Sequence, residues 1–173
     1  HGLSCETQLF ELITDIHEAI HNKTDVDAVF IGFTKAFNKV PHNRLNTKLT
    51  ALNIYPNICK WVANFLSDRY QSVFVNNTLS PLVKVKSGVR QDTVLGPILF
   101  LIYVNDISNQ LSSPIRLFAD DCVIYRQSTS HIDTSAVQSD INQITRWCCQ
   151  WQMEISVSKT KYIQFTKTKK HEL

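Results

Sequence analysis

The sequence predicts an α+β fold in which helices pack on a small antiparallel sheet, and three observations carry that prediction. Segments with helical periodicity flank short apolar strand-like runs without strict β-α-β alternation. Two mostly apolar runs between Ile115 and Tyr125 meet at an acidic pair, as a tight hairpin would. The 173 residues are 43% hydrophobic, 10% aromatic and 19% charged, a globular composition that excludes a disordered chain.

Residues 4–22 are expected to be helical. Leu9, Leu12, Ile13, Ile16 and Ile20 recur at spacings of three and four, and Ser4 with Thr7 can cap the start. After a polar break at 22–25, residues 26–33 read as a strand whose near-continuous apolar run suits cover on both faces. Pro41 should sit near the start of a helix over about 41–53 that uses Leu45, Leu49 and Leu52. A second helix opens near Pro56 and presents Ile58, Trp61, Val62 and Phe65, with Trp61 and Phe65 four apart. Residues 71–75 and 82–85 read as strands joined through Asn76-Asn77-Thr78 and Ser80-Pro81. Gly96-Pro97 opens a strongly apolar helix that ends near Leu111. Val137, Ile141, Ile144, Cys148 and Trp151 mark an amphipathic helix over about 132–151, with Trp147 and Trp151 packing behind the hairpin. Tyr162, Ile163 and Phe165 suggest a last strand before a lysine tail at Lys167, Lys169 and Lys170. The helices should cover one face of a sheet that holds strands 26–33 and 115–125. With no repeat and no linker, a single domain over residues 1–173 is expected.

The formal net charge of +3 and pI near 8.6 are compatible with a polyanionic partner. Five cysteines, with no C-x-x-C spacing and with Cys148 adjacent to Cys149, read as reduced thiols of an intracellular protein. No apolar stretch reaches the ~18 residues of a membrane span, and no basic region precedes an apolar core at the N-terminus. The chain begins at His1 and its only methionine is Met153, so a fragment of a longer reading frame is expected.

Asp120 and Asp121 are the first candidate for chemistry. Asp tolerates turn geometry. Two carboxylates held ~4 Å apart repel by about 4 kcal/mol at an effective dielectric near 20. A hard divalent cation relieves that repulsion. Taken in isolation, the pair reads better as an exposed turn than as a metal site, and the neighbouring motifs reverse that reading.

Four motifs stand in order: Phe30-Ile31-Gly32-Phe33-Thr34-Lys35-Ala36-Phe37-Asn38-Lys39-Val40-Pro41-His42; Gly88-Val89-Arg90-Gln91-Asp92-Thr93-Val94-Leu95-Gly96-Pro97; Phe118-Ala119-Asp120-Asp121; and Trp147-Cys148-Cys149-Gln150-Trp151 followed by Lys159-Thr160-Lys161. Together they resemble the reverse transcriptase domain of non-LTR (LINE-like, jockey-like) retrotransposons, from about Ser4 to about Phe165. The resemblance implies a right-hand polymerase, here the palm with part of the fingers, the upstream fingers and thumb lying outside. It implies RNA-directed DNA synthesis by two-metal nucleotidyl transfer, with Mg²⁺ (or Mn²⁺), an RNA template, a DNA primer and a dNTP.

By the same resemblance, Asp120 and Asp121 are metal-binding catalytic acids and Lys159 is a general acid near the pyrophosphate. Phe37 matches the aromatic that selects against a ribose 2′-hydroxyl and Gln91 a nucleotide and template contact, while Lys35, three residues after Gly32, is expected near the triphosphate from its position alone. The sequence departs from the family where the first catalytic Asp belongs, because Gly32 stands there and carries no ligand. Asp25 and Asp27 lie five or more residues earlier, ~16 Å along a strand, too far to substitute. Asn38 replaces an Asp, and Arg90-Gln91-Asp92 replaces Pro-Gln-Gly, which puts a negative charge near the triphosphate. Altered specificity or mutational decay of a mobile element accounts for these departures, and decay is the favoured reading. The alternative to an active enzyme is a non-catalytic relic that at most binds nucleic acid.

Overall fold

A computed structural model describes residues 4–91 and 93–167. The chain forms two compact units. One joins the described residues up to Thr34 with those from Asp106 onward; the other runs from Lys35 to Asn105.

The first unit is built on a four-stranded antiparallel sheet in the order β6-β7-β1-β8, where β1 is Asp25–Gly32, β6 Ile115–Phe118, β7 Asp121–Ser128 and β8 Lys161–Phe165. Alternation along β1 decides which helix each face receives. Val26, Ala28 and Phe30 join Val123 and Tyr125 in a cluster with Leu12 and Ala19 of α1 (Cys5–His21). Val29, on the other face, lies with Val137 and Ile141 of α6 (His131–Trp151). Helices therefore cover both faces of the sheet and not one, as the doubly apolar run of β1 requires. Ser4 caps α1 through a bond from the Thr7 amide at 3.2 Å. A capping box between Ser130 and Asp133 starts α6. Arg116 reaches Glu11 at 2.8 Å and Asp15 at 3.4 Å, and the Tyr125 hydroxyl donates to Asp15, so the hairpin is tied to α1 by charge as well as packing.

Trp147 is buried, as expected, and its indole N–H donates to Asp106 at 2.9 Å. Asp140 is also buried and accepts the backbone N–H groups of Ser112 and Ser113, both at 2.9 Å. That pair of bonds fixes the entry to the hairpin, since a short 3₁₀ helix, Asn105–Gln110, precedes it.

The second unit contains α2 (Ala36–Lys39), α3 (His42–Ala51), α4 (Pro56–Leu66) and α5 (Leu95–Val104), with four two-residue strands between α4 and α5. Its core is Leu45, Leu49, Cys59, Val62, Leu66, Leu99, Phe100 and Tyr103. The buried stripe of α4 differs from the expected one. Cys59, Val62 and Leu66 face inward, while Ile58 and Trp61 are exposed and Trp61 stacks on Phe65 with centroids 6.0 Å apart. Leu52 also lies exposed, just past the end of α3, and Lys48 takes its place among the buried positions. The Lys48 ammonium is accommodated by donating to the Tyr103 carbonyl. The hairpin after α4 is shorter in its strands than expected. β3 (Phe74–Val75) pairs with β4 (Thr78–Leu79) around Asn76-Asn77, both at positive φ, and β2 (Tyr70–Gln71) pairs with β5 (Val83–Lys84) at the base. Lys169 and Lys170 fall outside the described residues. No helix among the described residues is long and apolar enough to cross a membrane.

Candidate active site

The acidic pair sits on the hairpin as expected. The β6–β7 ladder closes at Phe118↔Asp121, so Ala119 and Asp120 form the turn and Asp121 is the first residue of β7. Ala119 adopts φ +52°, a left-handed conformation that costs a residue with a Cβ roughly 1–2 kcal/mol. The backbone thus accepts strain to aim the two acids, and Asp120 is half-buried while Asp121 is exposed.

The β1–β7 register then pairs Asp121 with Gly32. Residues directly opposite in an antiparallel pair project from the same side of the sheet. A Cβ placed on Gly32 would stand 3.2 Å from Asp121 Oδ1, and 2.9 and 3.2 Å from Lys159 Cβ and Cδ. Three candidate positions therefore meet here: Asp121, Lys159 and Gly32, with Asp120 next along the turn. Asp27 is engaged elsewhere. It is buried and accepts from the Tyr162 hydroxyl at 2.6 Å and the Gln164 amide at 3.1 Å. Burial, with that bond, pushes the Tyr162 phenol up to about 12. Asp25 pairs with Ser128 at the other end of the strand.

These donors do not fit a two-metal set. Among the described residues no group of three or more His, Cys, Asp or Glu could hold a metal ion. Two adjacent carboxylates would face two dications with half of the needed negative charge, and Gly32 adds no side-chain ligand.

Substrate-binding candidates gather in the second unit, where residues 87–89 lie along residues 37–42. The Gly88 amide donates to the Val40 carbonyl and the Val89 amide to the Phe37 carbonyl, each at 2.8 Å, and the Ser87 hydroxyl donates to the Asn38 carbonyl at 3.0 Å. Gly88 has φ +94°, and a Cβ there would meet Asn38 Cα at 2.9 Å, so glycine is required for this approach. The Gly88 carbonyl accepts from His42 Nε2 at 3.0 Å and from the Arg69 guanidinium at 2.8 Å.

This docking brings Lys35 and Gln91 to one cleft of about 750 Å³. Arg69, Lys84, Lys86 and Arg90 also line it, and among the described residues its lining contains no acid. Lys84 carries an exposed partner, Asp68, at 3.0 Å. Burial and the nearby Arg90 charge lower the Arg69 pKa, as crowded cations should. Reading the sequence alone picked Lys35 and Gln91 but missed these four cations. Their signal was present in the spacing of Lys84, Lys86 and Arg90 around Gly88. Phe37 is half-buried and stacks on Phe100 at 4.4 Å. Asp92 lies outside the described residues.

The model of the reverse transcriptase (RNA-dependent DNA polymerase) family matches residues 3–172. The chain belongs to the reverse transcriptase family. Among its relatives, the RNA-directed DNA polymerase from mobile element jockey of Drosophila funebris is 27% identical over 168 residues, covering 92% of this chain and 18% of that protein. The probable RNA-directed DNA polymerase from transposon X-element of Drosophila melanogaster is 29% identical, with the same coverage of each. The chain thus spans under a fifth of the length of these curated relatives. Apo telomerase from Candida tropicalis, truncated from its C-terminal domain, superposes with a TM-score of 0.70 at 14% identity, over 98% of this chain and 37% of that one. That likeness concerns the fold alone. The expected kinship with non-LTR retrotransposons is borne out. Reverse transcriptases generally use divalent metal.

Proposed function

We propose that the chain is the palm, with part of the fingers, of an RNA-directed DNA polymerase from a mobile element, and that its nucleotidyl-transfer capacity is strongly impaired. One observation carries this reading: the strand register that sets Asp121 beside position 32, where the family's third acid belongs and this chain has Gly32. Asp120 and Asp121 are the acids that would hold Mg²⁺ or Mn²⁺, and Lys159 stands beside them as the candidate proton donor. Lys35 and Gln91, with the cations of their cleft, suit the phosphates of a dNTP and of the RNA template or DNA primer. Phe37, held by its stack on Phe100, is the candidate to meet the ribose of an incoming dNTP. The five free thiols support a reducing, intracellular setting.

The test has two readouts. Primer extension on an RNA template, with Mg²⁺ or Mn²⁺, should give little incorporation, and robust synthesis by the unaltered chain would overturn the impairment. Binding of an RNA–DNA primer–template should persist and weaken with salt. Replacing Lys86 and Arg90 with Ala should flatten the slope of log K against log salt by about 1.5. An unchanged slope would remove the cleft from the nucleic-acid surface.

A further inference from the structure

Residues 70–84 form a two-stranded ribbon whose backbone is well bonded and whose apolar side chains point out of the unit's core. Tyr70 pairs with Lys84 and Gln71 with Val83 at the root, and Phe74 pairs with Leu79 and Val75 with Thr78 at the tip. Between these ladders the Ser80 amide donates to the Val73 carbonyl and the Val73 amide to Ser80 Oγ, both at 2.9 Å, so hydrogen bonding runs on from root to tip. Arg69 fastens the root. Its carbonyl accepts from the Val85 amide at 2.8 Å, and its guanidinium donates to the carbonyls of Leu66 and Gly88 at 3.1 and 2.8 Å.

Val73, Phe74, Val75, Leu79, Leu82 and Val83 are each at least 58% exposed. A two-stranded ribbon alone is only marginally stable, and a contiguous exposed apolar surface marks a place where something docks. The surrounding charges indicate what docks there. From Arg69 to Gln91 the sequence holds four cations, Arg69, Lys84, Lys86 and Arg90, and no acid. All four line the cleft at the root of the ribbon, together with Tyr70 and Gln71. Asp68, just before this stretch, meets Lys84 only at the surface. An apolar protein partner would match the side chains and leave the cations uncompensated. A single strand of nucleic acid matches both, because its bases offer flat faces for stacking and its phosphates run alongside them. A duplex offers the phosphates without the free base faces.

We propose that the ribbon 70–84 is a stacking arm for the unpaired stretch of the template RNA. Bases rest on Phe74 and on Leu79, its cross-strand neighbour on the same face, while the cations at the root hold the phosphates. Phe74 lies four residues from Tyr70, ~13 Å along a strand, so a few nucleotides span tip and cleft. The choice of RNA rests on reading the chain as an RNA-directed polymerase; the stacking does not.

Fluorescence anisotropy with a short labelled oligo(U), a duplex RNA of the same length and oligo(dT) reads the arm. Phe74→Ala should weaken oligo(U) binding roughly 5- to 150-fold, the loss of one stacked base, with the slope of log K against log salt unchanged. Duplex RNA should lose less than about twofold in the same variant. Phe74→Trp should keep oligo(U) affinity within about threefold, and its added emission should be quenched as oligo(U) binds. Both substitutions are at an exposed position, so Tm should stay within about 2 °C of the unaltered chain. Unchanged oligo(U) affinity in Phe74→Ala would overturn the arm, even where replacing Lys86 and Arg90 flattens the salt slope and so keeps the cleft as a phosphate surface. Equal losses for duplex and single strand would overturn it too. Tighter binding of oligo(dT) than of oligo(U) would overturn the assignment to template RNA. A dimer that Phe74→Ala converts to monomer in sedimentation, with RNA binding unchanged, would overturn the arm and give the ribbon to a second copy of this chain. Failure of the unaltered chain to bind either oligo(U) or a primer–template would sink the nucleic-acid reading of the cleft, and the arm with it.

Discussion

The Arg90 carbonyl oxygen passes 1.6 Å from the point where a Cβ on Gly96 would lie. Gly96 is also tied in by its amide, which donates to Thr93 Oγ1 at 3.0 Å while the Thr93 hydroxyl donates to the Arg90 carbonyl at 3.0 Å. This is the fold-back that sets Arg90 and Gln91 at the head of α5.

Gly96→Ala should therefore be among the most damaging single-methyl additions in the chain. No side chain can rotate out of the way of a main-chain oxygen, so the loop must move. The expected loss is about 3 kcal/mol, seen as a lower urea midpoint with an unchanged m-value. Because the loop carries Arg90 and Gln91, primer–template binding should weaken in the same variant. A native midpoint would show that the loop has slack the close contact denies.

Asp140 gives a second prediction. Its carboxylate is 2% exposed and accepts two backbone N–H groups and the Ser112 hydroxyl. Asp140→Ala leaves the amides of exposed Ser112 and buried Ser113 without this acceptor, at a cost of about 1–3 kcal/mol that comes mainly from Ser113. Asp140→Asn keeps one oxygen and should lose about half of that. Equal losses in the two variants, measured by denaturant unfolding, would assign the effect to packing and not to the hydrogen bonds.

These cases mark where sequence reasoning reached and where it stopped. The strand at 25–32 and the hairpin at 115–128 were legible because their apolar runs are short and bounded by polar turns. The long helix 131–151 was legible from its period. The inward stripe of α4 was not, since Ile58 and Trp61 look more apolar than Cys59, and composition cannot say which side a neighbouring element occupies. Buried Lys48, Asp27 and Asp140 were invisible for a related reason. Each is paid for by a partner more than 25 residues away in sequence, and such pairings follow from topology. In the site, the acids and Gly32 were readable as a motif, but the crowding of Gly32 by Lys159 required the register of β8 and the turn before it.

Helix α6 should give an acid-sensitive signature through Asp133. Bonds from the Thr129 amide and hydroxyl, then from Ser130 and Arg126, hold its carboxyl down at about 2. An unfolded Asp titrates near 3.9. The folded value is the lower one, so the stabilisation is present above about pH 4 and is lost as pH falls from about 4 through 2. Asp133→Asn should remove that part of the pH dependence, flattening Tm against pH in this window relative to the unaltered chain. Parallel Tm profiles below pH 4 would refute the role of the cap.

The five thiols should divide into two reactive and three protected groups. Cys5 and Cys149 are exposed, whereas Cys59, Cys122 and Cys148 are buried. Burial, then the neighbouring Cys148 and Asp121, pushes the Cys122 thiol up to about 12, and burial with Cys149 does the same for Cys148. Only the thiolate attacks a disulfide reagent, and at pH 8 a thiol with that pKa is ionised to about one part in ten thousand. Titration with an aromatic disulfide at pH 8 should release two equivalents quickly and the remaining three only as the chain unfolds. The slow phase should track the unfolding rate as urea is raised. Cys122 adjoins Asp121, so its protection also reports on the hairpin. Ala119→Gly relieves the left-handed turn without adding bulk and should leave the slow phase as slow as before or slower. Faster labelling of Cys122 in that variant would mean that the strained alanine is needed to keep β7 closed.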